Sequence, residues 1–159
     1  MILFQVGTSG ETILFSDTVL AHLDKHRQTR WWHPEAGGLL FARFEGKRIL
    51  IADISGPRRS DIRTAISYCP NRRAEQREIN DRHRKGLHYV GDWHSHPEWR
   101  PSPSSRDERT MRSRVTQSRH ELAGFVFAII GLAPLPDGLK VVVHDGTRPH
   151  PLLPSDVPV

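Results

Sequence analysis

The chain has 159 residues, 36% of them hydrophobic and 26% charged, the proportions of one soluble domain whose core needs no disulfide. Its one cysteine, Cys69, excludes an internal disulfide and a cysteine zinc cage and fits a reducing compartment. The opening M-I-L-F-Q-V-G-T-S-G-E lacks the basic region and the long apolar run of a signal peptide, so a cytoplasmic protein is expected, and its formal charge of +5 permits a nucleic-acid partner without requiring one.

Two short apolar runs, 1–6 and 12–15, separated by Gly7 and Gly10, predict an N-terminal hairpin. Ser16 is placed to cap a helix over 17–28 in which Val19, Leu20 and Leu23 share one face. His22 and His26 stand four apart on it, a spacing that can chelate metal. No third ligand is adjacent and the surroundings are charged, so both read as surface residues. The loop 30–34 delivers Glu35 to a strand over 38–44, and the turn 45–47 leads into a second strand over 48–54. Residues 55–70, polar and rich in Arg, Ser and Pro, read as a loop or partly ordered insertion. Pro70, at a first helical position, opens a charged helix that ends before Gly86; with Ala74 and Ile79 its only apolar residues, it must lie on the surface.

The charge-free run 122–136 is too short to span a membrane and suits a core strand. Strands are expected over 123–130 and 140–144, with a turn over 134–138 between them. The segment 147–159 holds four of the twelve prolines and reads as an extended or disordered tail, set apart from a domain over 1–146. Alternating strands, hairpins and helices argue a mixed α/β sandwich. Charge is uneven: 58–85 carries nine Lys/Arg against four Asp/Glu, and 100–119 six Arg against two acids. Each segment is either a solvated helix face or a docking surface for an acidic partner.

Between these segments runs Y-V-G-D-W-H-S-H-P-E-W-R-P-S-P-S-S-R-D-E-R-T, residues 89–110. Leu87, Tyr89, Val90 and Trp93 mark a buried strand, on which residues two apart face one side, so His94 and His96 aim at one point. Pro97, Pro101 and Pro103 forbid regular structure, and Ser104 reads as the N-cap of a helix over 105–119, which puts Asp107 in its first turn. Alone, S-x-x-D is an ordinary capping arrangement, and a histidine pair on a strand is ordinarily a solvated or satisfied one. Taken together, two histidines and a carboxylate leave a fourth tetrahedral position for water, the pattern of catalytic rather than structural zinc.

The spacing H-S-H, seven residues, S-x-x-D resembles the JAMM signature of the JAB/MPN metalloprotease family, with no substitution at its four positions. The resemblance implies a single-domain MPN/JAB-type fold, a mixed β-sheet sandwiched by helices, that binds zinc through His94, His96 and Asp107. It also implies a general acid/base on a Glu upstream, at the start of a strand with a glycine three positions on. Glu35 with Gly38 fits, and Glu35 is the only acidic residue between the first helix and the first turn of the 38–54 hairpin. In the implied reaction Glu35 takes a proton from the attacking water and returns it to the departing amine, while the Ser104 hydroxyl stabilises the oxyanion. Asp92 either orients a ligand imidazole or is a plain strand-surface carboxylate.

Members of the family typically cut the amide after the C-terminal glycine of a ubiquitin-like protein or tail. The run G-D-W-H-S-H-P-E-x-x-P-S-P-S-S-x-D most resembles a bacterial branch found beside E1- and E2-like conjugation enzymes in antiphage islands. In CBASS systems such a protease removes a cyclic-nucleotide synthase from its conjugation targets; related operons carry a ubiquitin-like modifier instead, and the chain does not decide between them. The expected partner is therefore a protein with an extended C-terminal tail.

Three rival readings fit the residues less well. His96-Pro97-Glu98 has the H-x-E of a zinc deaminase, but no cysteine follows Cys69 to complete its ligand set. Cys69 as a nucleophile lacks an identifiable base. A catalytically silent JAB-fold binding module would use the basic segments to hold protein or nucleic acid; the complete ligand set and Glu35 weigh against it.

Overall fold

The computed structural model describes residues 1–155. The N-terminal hairpin pairs β1 (Ile2–Val6) with β2 (Glu11–Phe15). Helix α1 (Asp17–Lys25) follows, capped by the Ser16 hydroxyl, which accepts from the Val19 N–H. Then come β3 (Gly37–Glu45) and β4 (Arg48–Ile54), a small hairpin of β5 (Ile62–Thr64) and β6 (Ser67–Cys69), and α2 (Arg72–Arg84). The second half holds β7 (His88–Ser95), α3 (Ser105–Gln117), β8 (Phe125–Ile130), β9 (Leu139–His144) and β10 (Pro149–Leu152).

Eight strands form one mixed sheet in the order β1-β2-β4-β3-β7-β8-β9-β10, with β2/β4 and β7/β8 parallel. Its two edges meet: Phe4 bridges Pro154, and the Ser155 N–H donates to the Leu3 carbonyl at 2.8 Å. β8 is buried along its whole length because both faces are covered. Val126, Ala128 and Ile130 join the core that holds Val19, Leu20 and Leu23 of α1. Phe125, Phe127 and Ile129 pack on Met111 and Val115 of α3. Helices therefore lie on both faces, as the α/β sandwich requires.

β7 occupies the middle of the sheet between β3 and β8, so its backbone is pinned on both sides. Opposite it, the β3 register skips from Leu40↔Gly91 to Phe41↔Tyr89. Gly91 makes this bulge possible, with φ at +151° and a would-be Cβ only 1.7 Å from the Val126 carbonyl oxygen. Gly38 serves a second close approach: a Cβ there would lie 1.8 Å from the Ser55 carbonyl oxygen, the same oxygen that accepts the Trp93 indole N–H at 2.8 Å.

Several expectations change. The 55–70 insertion contains the β5–β6 hairpin. The charged helix starts at Arg72 and not at Pro70, because Asn71 supplies the side-chain acceptor that the first turn needs, taking the Ala74 N–H at 3.0 Å. That helix is also not purely superficial: Glu75 is 3% exposed, ion-paired to Arg114 and Arg72. His22 and His26 are half-buried rather than on the surface, both ring-packed on Trp93. In the C-terminal segment read as extended or disordered, β10 pairs with β9 and buries Leu152; residues 156–159 lie outside those described. No helix among the described residues is long and apolar enough to cross a membrane.

Candidate metal centre

The period of a strand explains the H-S-H triplet. His94 and His96 project to one side, while Ser95 between them points into the interior and is fully buried. There its hydroxyl accepts the Ala36 N–H at 2.8 Å and donates to Gln28 Oε1 at 3.0 Å. Backbone bonds from Ser95 N–H to Ala36 (2.8 Å) and from His96 N–H to Ile130 (2.9 Å) hold the triplet between its two neighbours. The Ala36 bonds also fix Glu35, which precedes it. Glu35 is further held by its N–H on the Thr64 carbonyl at 2.7 Å and by the Arg63 guanidinium on its own carbonyl at 2.8 Å.

On the open side, Glu35, His94 and His96 present ligand-type atoms within 4.8 Å of one another. Asp107 reaches the same point from α3. Its Oδ1 lies 3.3 Å from His94 Nε2, its Oδ2 lies 3.1 Å from His96 Nε2, and the two Nε2 atoms are 3.0 Å apart. Zinc–ligand bonds of about 2.0–2.1 Å put tetrahedral ligand atoms about 3.3 Å from each other, so the donor set fits a zinc-sized cation. Two facing imidazole nitrogens at 3.0 Å also need a proton or a cation between their lone pairs.

At Asp107 a helix cap coexists with a carboxylate aimed at the two histidines. Ser104 Oγ accepts the Asp107 N–H at 3.1 Å, and Asp107 Oδ2 accepts the Ser104 N–H at 2.7 Å, a reciprocal capping box. The box fixes the carboxylate's rotamer while it faces the histidines. Burial alone would raise its pKa; hydrogen bonds from His94 and His96 outweigh burial and hold it well below the usual carboxylate range. Ser104 Oγ is used as an acceptor by the cap, which leaves its proton free to donate into the cleft.

Electrostatics separate the two carboxylates. Burial, its strongest influence, raises the Glu35 pKa, and the His94 and His96 charges only partly oppose it. A carboxylate moved toward neutrality is suited to exchange a proton. For His96, burial pulls down, but the hydrogen bond and charge of Asp107 raise the pKa overall. Its other ring nitrogen, Nδ1, meets Glu98 Oε1 at 3.1 Å.

Asp92, the residue weighed for orienting an imidazole, is engaged elsewhere: it accepts the Tyr89 hydroxyl at 2.9 Å and pairs with Arg114 Nε at 2.7 Å. Glu98 occupies the place beside the imidazole, and the H-P-E tripeptide was the visible signal for it. Nothing in the sequence marks Gln28. It lies past the end of α1, 2% exposed, and joins Ser95 to the His33 and Ala65 carbonyls, both at 3.1 Å. Glu35, His94, His96, Glu98, Ser104 and Asp107 line a cleft of about 440 Å³ whose wall also includes Ala65, Ile66 and Tyr68 of the β5–β6 hairpin region.

Residues 18–141 match the family model described as prokaryotic homologs of the JAB domain. A Vibrio cholerae protein named "CD-NTase/cGAS isopeptidase" is 32% identical over 107 residues, covering 65% of this chain and 69% of that protein. An Escherichia coli protein of the same name is 31% identical over 98 residues, 60% of this chain and 63% of that protein. A Sinorhizobium fredii protein named "Probable metalloprotease y4qB" is 33% identical over 93 residues, 55% of this chain and 56% of that protein. A solution structure of a Desulfitobacterium hafniense protein shares the fold at 20% identity, with a TM-score of 0.60, covering 87% of this chain and 88% of that one.

Proposed function

The chain belongs to the family of prokaryotic JAB-domain homologues, and from that premise we propose that it is a zinc-dependent isopeptidase or peptidase that cuts the amide joining a protein's C-terminal tail to an amine. The observation that carries this reading is the convergence of His94, His96 and Asp107 on one point with Glu35 beside it. His94, His96 and Asp107 would hold the zinc, which when bound would supply positive charge to polarise a carbonyl and lower the pKa of water. Glu35 accepts the water proton as the C–O bond forms, then delivers it to the nitrogen as the C–N bond breaks, releasing a carboxylate and an amine. The Ser104 hydroxyl donates to the oxyanion, a contribution of about 3–4 kcal/mol for one well-placed donor. Gln28 and Ser95 keep Glu35 and the histidines in register.

The names of the two isopeptidase relatives support a conjugated CD-NTase/cGAS-type cyclic-nucleotide synthase as the substrate class; the cytoplasmic antiphage setting with E1- and E2-like conjugation enzymes is part of the proposal and rests on the motif resemblance alone. A ubiquitin-like tail is the other member of the same chemistry. The test is a set of fusions in which either tail is joined through an amide to a reporter, incubated with zinc-loaded wild type and Glu35→Gln. Wild type is expected to cut at the tail's last residue, a chelator to stop it, and Glu35→Gln to lose about 10²–10⁴ in rate. Equal cleavage by Glu35→Gln, or no cleavage of any fusion, overturns the reading in favour of a silent binding module.

A further inference from the structure

Each basic segment mixes paired with unpaired cations. In the first, Arg58 is answered by Glu78 and Asp61, Arg72 by Glu75, Arg82 by Asp53, and Arg84 and Lys85 by Asp81, whereas Arg59, Arg63, Arg73 and Arg77 form no ion pair among the described residues. In the second, Arg100 pairs with Asp137, and Arg114 with Glu75 and Asp92. Arg106 and Arg109 are exposed and form no ion pair among the described residues. Of the two acids between them in sequence, Asp107 turns away to the histidines and Glu108 does not line the groove that the two arginines share.

Helical spacing puts 106, 109, 110, 113 and 117 on one face of α3, opposite the buried Met111 and Val115. That face walls a groove of about 450 Å³. Its lining holds four arginines, Arg72, Arg106, Arg109 and Arg114, together with uncharged polar residues and no carboxylate. Arg72, Arg106, Thr110 and Arg114 line the groove and the metal cleft alike, so the two are continuous.

We propose that this groove receives an acidic segment of the same polypeptide whose amide lies in the cleft, an inference that rests on the hydrolase reading above. Continuity makes the occupant a neighbour of the scissile bond in the bound chain. Arg guanidinium forks match carboxylates in two-point geometry, and Arg106 and Arg109 have no internal acid to release first. Nucleic acid is the less suitable polyanion, because the groove offers no aromatic ring on which a base could stack.

The test needs no knowledge of the natural substrate. A fluorescein-labelled Glu-rich peptide and a Gln-rich peptide of equal length are titrated by anisotropy against the full chain and against Arg106→Gln/Arg109→Gln. Wild type is expected to prefer the Glu-rich peptide about tenfold, with the preference shrinking as salt rises and disappearing in the double variant. Arg109→Glu, a second surface change, is expected to reverse the ranking of Glu-rich and Lys-rich peptides. In a cleavage arm, a Glu stretch beside the scissile amide of the fusions lowers KM in wild type relative to a Gln stretch. Equal affinity for the two peptides, a preference that survives in the double variant, or tighter binding of a single-stranded RNA oligomer overturns the proposal. If no fusion is cut while the peptide preference holds, the hydrolase reading has failed and the acidic-segment site stands as a binding surface.

Discussion

The two nitrogens of the His96 ring do different work. Glu98 lies 3.1 Å from Nδ1 and can accept its proton, which would leave the Nε2 lone pair for a metal in place of the hydrogen bond that Nε2 otherwise gives Asp107. Glu98→Ala is expected to weaken zinc binding about 10–100-fold, read by competition with a chromophoric chelator; unchanged affinity would mean that the contact does not orient the ring. His26 makes a separate prediction. Burial first, then the charges of His22, Lys25 and Arg63, depress its pKa from 6.5 to about 4. The unfolded chain therefore takes up a proton near pH 6.5 that the folded chain refuses until about pH 4, so this contribution to stability is present above pH 6.5 and is lost as pH falls toward 4. Unfolding free energies from urea titration should fall more steeply for wild type across that window than for His26→Gln, by on the order of 2 kcal/mol after allowing for solvent screening. Parallel curves would assign the acid sensitivity elsewhere. The convergence of His94, His96 and Asp107 was legible in the sequence because strand alternation and helix capping are local rules. Gln28 was not, since its partners at 33, 65 and 95 come together only in the folded chain.

Helix α3 carries Asp107, and it is locked to its neighbours by Arg114. The guanidinium pairs with Glu75 of α2 at 2.8 Å and Asp92 of β7 at 2.7 Å, and all three side chains are mostly buried. Arg114→Met would leave two buried carboxylates without their shared cation, a change expected to cost about 3–5 kcal/mol in urea unfolding. A loss below about 1 kcal/mol would show that the helix is held by Met111 and Val115 alone. Long elements with strong patterns were readable: the apolar run of β8, the capped start of α3, the β3–β4 hairpin. The β5–β6 hairpin escaped because strands of three residues in a polar, Arg-rich stretch leave no period to detect. The burial of Glu75 escaped for a related reason, as nothing in α2 itself announces a cation arriving from α3.

The α/β sandwich followed from the alternation of elements and from the family resemblance. The strand order did not, because the parallel pairs join segments separated by other elements, β2/β4 by α1 and β3 and β7/β8 by α3. Nor was the meeting of the sheet's edges visible, with a proline-rich segment supplying β10 and the Phe4–Pro154 bridge. What the architecture achieves is to bring β3, β7 and α3 to one cleft, so that residues 35, 94, 96 and 107 face a common point. Zinc per chain, measured by elemental analysis after equilibration with zinc and gel filtration, tests whether that point is a metal centre. Wild type should retain about one zinc per chain, and His94→Ala, folded by circular dichroism, should retain little or none. A wild-type protein without zinc, or a His94→Ala variant that keeps it in full, would contradict the account.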